Sequence, residues 1–314
     1  MRQRSDEWSV TKDGRARLIG HGLVIVLALC AAVFMAIGIV VRQRATMDLP
    51  SEDGVSAAMI TTLLRSPVWW AGTGAAVLGY VFQALALVKG SLILVQPILV
   101  SALLFALPLS ARMAGRRVTR GEWLWAGLLT IGLAVFVLLA RPGPQESPAS
   151  LPVAGIVAGV CGVIILGCIV VAVRIGGWQR AVLLAVSVGV LFGVVAVVTK
   201  INMHIADQRG VLALLATPAP YALVVLGVFA TLLQQSAFHA GALQTSVPTM
   251  LVLEPLIAVL LGAIVLGENM DVSHLDAVLI TISTIAMVSA TIALGRDEGA
   301  YEEQLEAAMA RRSA

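Results

Sequence analysis

Residues 91–111, SLILVQPILVSALLFALPLSA, and residues 247–267, VPTMLVLEPLIAVLLGAIVLG, decide the fold. Each is apolar over about 20 residues, the length of α-helix that crosses a bilayer. Each is broken near its middle by a polar residue followed by proline, Gln96-Pro97 in one and Glu254-Pro255 in the other. Proline removes a backbone donor and clashes with the preceding turn, so both helices are expected to kink and to leave carbonyls without helical partners. A carboxylate inside a membrane span is expensive, which marks Glu254 as a functional residue. A polar residue beside a helix break, repeated in both halves of a chain, is the pattern of a transporter's binding site.

Working outward, further apolar runs fall at 18–41, 68–88, 121–140, 151–173, 181–199, 221–243 and 274–294. The 314-residue chain is 59% hydrophobic and 12% charged, with a mean hydropathy of +0.95. Soluble domains carry about 25% charged residues, so this composition excludes one and specifies an all-α polytopic membrane protein. Residues 1–17 form a basic tail that is expected to be cytoplasmic. The run after it is too long for a signal-peptide core and reads as a retained anchor. The first repeat is expected over 18–140, a Pro/Ser-rich linker over 141–150, the second repeat over 151–295 and a charged cytoplasmic tail over 296–314. Residues 45–66 hold Asp48, Glu52 and Asp53, which argue against an ordinary span there.

The halves echo one another. LLRSP at 63–67 recurs as LLATP at 214–218, which brings Gln83 level with Gln234. Counting 45–66 as a span gives ten, and omitting it gives nine. Ten spans concentrate Lys and Arg more strongly on the side of loop 112–120, RMAGRRVTR, and are preferred on the positive-inside rule. Both counts place that loop and the C-terminus in the cytoplasm, in a multi-pass inner-membrane protein.

The candidate solute- or ion-binding residues are Glu254, Gln96, Gln83, Gln234, Gln235 and His239, with Pro97 and Pro255 as helix-kink residues. Gln235 and His239 are four apart and share a helix face. The bland reading of the glutamines is interhelical hydrogen bonding, worth about 0.6 kcal/mol per contact. Gly155/Gly159 and Gly189/Gly193 are GxxxG pairs that permit close helix approach. Internal packing explains them, and they leave a homodimer open. The three cysteines lie inside apolar runs and suggest neither disulfides nor a metal site. No nucleotide-binding loop, HExxH or GxSxG occurs, so no enzyme and no cofactor is expected. The basic residues are explained by insertion into the bilayer and imply no nucleic-acid partner. The expected partners are lipid and a small solute or cation.

SPVWWAG at 66–72, the Gln-Pro span, RRVTRGEWLWAGLLTIGLAVFVLLARP at 116–142 and TSVPTMLVLEPLIAVLLGAIVLGE at 245–268 resemble the drug/metabolite transporter superfamily. The last is similar to the EamA pattern, a proline-containing span ending in LGE. The WWAG opening is most similar to the NIPA-type magnesium transporter group. The resemblance covers about residues 20–295. It implies two inverted repeats, a central cavity and alternating access, with nine spans in the NIPA-like branch. A divalent-cation pathway is therefore one alternative. A scaffold or accessory subunit that moves nothing is another, since fold does not settle function.

Overall fold

The computed structural model describes residues 22–41, 65–113, 117–140, 151–175, 177–240, 243–270 and 272–313. The regular elements among them are helices: α1 (Gly22–Val41), α2 (Pro67–Lys89), α3 (Leu92–Val100), α4 (Ala102–Met113), α5 (Arg120–Leu139), α6 (Leu151–Arg174), α7 (Gly177–Arg209), α8 (Val211–Leu215), α9 (Ala219–His239), α10 (Leu243–Leu266) and α11 (His274–Ser313). Eight helical stretches among the described residues are long and apolar enough to cross a membrane, counting α3 and α4 as one. In α9 the shorter apolar stretch Ala219–Gln234 is of the same kind. The chain is thus a polytopic helical membrane protein. Residues 1–21, the segment 42–64 and the linker 141–150, on which several expectations fell, lie outside the described residues.

Local chemistry sets the helix ends. Ser66 caps α2 by accepting from the Trp69 N–H at 3.3 Å, with Pro67 at the first helical position, where its missing donor costs nothing. Thr119 and Glu122 form a reciprocal capping box on α5. The Gln-Pro span does not stay whole. It breaks at Ser101 into α3 and α4, four residues beyond Pro97. The Glu-Pro span α10 remains one helix with Pro248 and Pro255 inside it.

Helix α7 is the centre of the bundle. Of its apolar stretch 72% is buried, against 17% for α6. It packs against α10, α9, α6 and α2, while α11 lies between α5 and α10. It also runs to Arg209, well past the expected end at Thr199. In the extension, donors on polar side chains reach carbonyls of neighbouring helices, although Asn202 Oδ1 stays without a partner. Asn202 Nδ2 donates to Ala219 O at 3.2 Å, and Lys200 Nζ donates to Leu87 O at 2.8 Å. The C-terminal residues, expected as a separate short helix, continue α11 without a break to Ser313.

Helices α1 and α2 run antiparallel. Gly38 meets Ala76, Gly79 meets Met35, Phe82 stacks on Phe34 at 5.4 Å, and Gly90 meets Val24. Residue numbers rise along one helix as they fall along the other. The ten-span arrangement requires these helices to run parallel, so the geometry departs from that preference. Val41 and Pro67 lie at the same end of the bundle.

The two GxxxG pairs part company. A Cβ at Gly193 would lie 2.6 Å from Ile257 Cγ2, and one at Gly189 would lie 2.6 Å from Leu253 Cβ. Around Gly155 and Gly159 there is nothing within 4 Å. Gly193→Ala is therefore expected to destabilise the purified protein by about 1–3 kcal/mol through overpacking. Gly155→Ala is expected to be neutral. Equal melting temperatures for the two variants would refute this assignment of the α7–α10 contact.

Candidate functional site

Glu254 lies on the inward stripe of α10. Met250, Ala258 and Leu261 follow the same helical face at i−4, i+4 and i+7, and all three are buried in the core around α7. Glu254 itself is only half-buried. It makes no hydrogen bond or ion pair with any described residue. The bare backbone of Gly189 lies beside it, with Glu254 N 3.4 Å from the position of a Cβ. The glycine pair thus brings α10 onto α7 at the level of the carboxylate. Pro255 has no N–H, so the carbonyl of Leu251 loses its helical donor close by.

Gln96 comes from the other half. It is 2% exposed, and its Nε2 is buried without a hydrogen-bond partner. Ser101 Oγ, at the break between α3 and α4, is buried and unpartnered too. Pro97 frees the carbonyl of Ile93 in the same way. Helix α3 packs along α10, starting where Leu92 meets Gly262. At 1.5 Å per residue, the two polar-proline steps are offset by only about 6 Å along the helices. An unpaired amide costs about 1–3 kcal/mol when buried, so Gln96 is an odd choice for packing alone.

The remaining candidates divide. Gln83 is buried on α2, on the stripe with Ala76 and Gly79 that meets α1. Gln234 is half-buried on α9, beside the buried stripe of Ala230, Leu233 and Ala237. The side chains of Gln235 and His239 lie outside the described residues. No group of three or more His, Cys, Asp or Glu side chains is gathered for a metal ion among the described residues.

Glu268 was not among the sequence candidates. It is 5% exposed, and its two carboxylate oxygens accept from the N–H groups of Leu92 at 3.0 Å and Ile93 at 3.2 Å. Those are orphan donors of the α3 N-terminus, where the helix dipole also favours an anion. Gly267 adopts a left-handed φ of 65°, and the Glu268 N–H closes back onto Gly262 O at 3.2 Å. That turn aims the side chain at α3. Gly262 leaves it room, since a Cβ there would lie 3.1 Å from Glu268 Oε2. Burial pushes the Glu268 carboxyl above its ordinary value, while the Leu92 and Ile93 amides and the Lys200 ammonium pull it back down. The signal in the sequence was the glycine–glutamate pair after an apolar run, a helix-stop pattern whose partner lies 175 residues away.

The unpaired amide gives a test that separates binding from packing. Gln96→Leu is expected to leave the melting temperature unchanged or raise it, because it removes a buried group with no partner. A fall of several degrees would show that Gln96 holds the bundle together instead.

Neither a protein-family model nor a solved structure matches this chain. It is 36% identical over 276 residues to the Uncharacterized protein Cgl0250/cg0304 of Corynebacterium glutamicum, an alignment that covers 87% of this chain and 95% of that protein. Near-complete coverage of both chains at that identity extends through the kinked spans on each side of the linker, and the chain belongs to the same family as this corynebacterial protein.

Proposed function

We propose that this protein is a secondary transporter of the drug/metabolite type, which moves a small solute or cation across the cytoplasmic membrane by alternating access between two related helical halves. One observation carries the reading. Glu254 is a carboxylate in the middle of an apolar helix, next to Pro255, on the same face as the buried Met250, Ala258 and Leu261, and without a partner among the described residues. An unpaired carboxylate in a low-dielectric bundle is kept for a cation or a proton that comes and goes. Gln96 on α3 and Ser101 at its C-terminal end supply buried neutral polar groups on the helix that packs along α10, and Gly189 and Gly193 hold α10 in place. No group of three or more His, Cys, Asp or Glu side chains gathers at Glu254 among the described residues. A single carboxylate suits a proton or a monovalent organic cation better than Mg²⁺, which is commonly held by one or two carboxylates together with substrate phosphates. A scaffold has no use for an unpaired charge at this depth.

The test is the purified protein in liposomes, screened against a panel of solutes with and without a pH gradient. Glu254→Gln keeps the shape and one acceptor but removes the charge. It is expected to insert and fold as the parent does, since a neutral amide is cheaper to bury. It is expected to lose coupled transport. Wild-type rates from this variant at every pH would remove Glu254 from the mechanism.

The antiparallel packing of α1 on α2 supports a nine-span topology in this reading. The arginine-rich loop 112–120 then faces the cytoplasm and the N-terminus faces the other side. A cysteine at Thr119 is expected to resist a membrane-impermeant thiol reagent in intact cells, while one at Ser5 reacts. The reverse pattern would overturn the topology.

A further inference from the structure

Three charged side chains of the second half close on one corner of the first. The corner is the turn between α2 and α3, residues 87–93. Glu268 takes the Leu92 and Ile93 N–H groups at the start of α3. Lys200 Nζ donates to the carbonyls of Leu87 and Gly90 at the end of α2. Outside them, Lys89 pairs with Asp207 at 2.9 Å. Glu268 and Lys200 each have the sign their helix end favours: a carboxylate at an N-terminus and an ammonium at a C-terminus. The exposed Lys89–Asp207 pair adds little. The grip that matters is the buried one, Glu268 and Lys200.

What they grip is short and hinged. Helix α3 has nine residues, contains Pro97 and ends at the break at Ser101. Its outer end is held by another element, and its inner end is a weak point in the backbone ladder. Buried charges that only stabilise are poor value, because an apolar replacement of similar volume is often as stable. Buried charges that hold a hinged element can be released.

We propose that α3 is a gate at the end of the bundle where α2 joins α3, and that Glu268, with Lys200, is the latch that holds it shut. Protonation of Glu268 opens it. A neutral carboxyl accepts hydrogen bonds from Leu92 and Ile93 more weakly and loses its attraction to Lys200. The charged and titratable groups around the latch are Lys200 and Asp207 on α7 and Lys89 on α2, while Asp276 on α11 is turned to Ser273. The burial that raises the Glu268 carboxyl places its protonation above the ordinary carboxylate range, so the gate opens as pH falls toward that range. The gate rests on the alternating-access reading, but its test needs no solute. Failure here leaves the Glu254 assignment standing, and failure of Glu254 in liposomes leaves the gate standing.

The test is thiol labelling of the purified full-length protein, with the three native cysteines replaced by alanine. A cysteine at buried Leu94, the residue after the held Leu92 and Ile93, reports opening. A cysteine at exposed Ala216 corrects for the pH dependence of the thiol itself. Glu268→Gln is expected to raise the labelling of the Leu94 position relative to the reference by about tenfold, the effect of losing one charge-assisted hydrogen bond. Lys200→Met is expected to act in the same direction. With Glu268 intact, relative labelling is expected to rise as pH falls below neutral, and with Glu268→Gln it is expected to be flat. Should Glu268→Gln not fold, Lys200→Met and the pH series decide the matter. Labelling that ignores pH, and ignores whichever of the two substitutions folds, would overturn the proposal and leave Glu268 as a fixed helix cap.

Discussion

The approach of α10 to α7 over Gly189 and Gly193 is the contact on which the rest of the bundle depends. In lipid the hydrophobic effect does not drive helices together, because the tails are as apolar as the side chains. Close van der Waals contact must do it, and that requires a surface without Cβ atoms. Ile257 and Leu253 fill the two spaces the glycines leave. This fixes the height and rotation of α10, and with them the inward aim of Glu254. Helix α11 then closes on α10, where Gly295 lies against Pro248, and on α5, where Gly132 lies against Met287 and Ser283. The first half repeats the device, with Gly38 and Gly79 setting α1 on α2.

Backbone polar groups impose the second constraint. A membrane interior offers no water to a freed carbonyl, so each break in a helix must be answered by protein or line a polar space. Two answers are visible. At the α2–α3 corner the orphan groups meet Glu268 and Lys200, and the corner is closed. Beside Pro97 and at the break after α3, Gln96 Nε2 and Ser101 Oγ are buried without such partners among the described residues. Satisfied breaks and unsatisfied breaks lie on the same short helix, one turn apart. That contrast separates the held end of α3 from the end that carries the unpartnered groups.

Much of this was legible in the chain. Hydropathy and length located the apolar helices, because burial in lipid is a property of each segment on its own. Glu254 stood out because an acidic residue in an apolar run has few structural excuses. Other readings needed more than one segment. Gln83 and Gln96 look alike in sequence, yet one is buried in the α1–α2 contact and the other lies unpaired beside α10. Gly155/Gly159 and Gly189/Gly193 share one motif, yet only the second pair meets a partner. Glu268 escaped notice because it lies just past a span, where a charge is ordinary.

The sequence by itself determined the class of molecule, the positions of its apolar helices and the places where prolines interrupt their hydrogen-bond ladders. These follow from interactions within a few residues, which helix period and side-chain chemistry encode directly. Only the tertiary structure decided that α1 runs against α2, that α7 is the centre, which glycines touch a neighbour and what the Glu268 carboxylate holds. Each of these is a relation between segments far apart in the chain. A helix carries its hydrophobic face in its own residues, but the neighbour that covers that face, and the direction in which it runs, are settled only when all the helices compete for the same contacts.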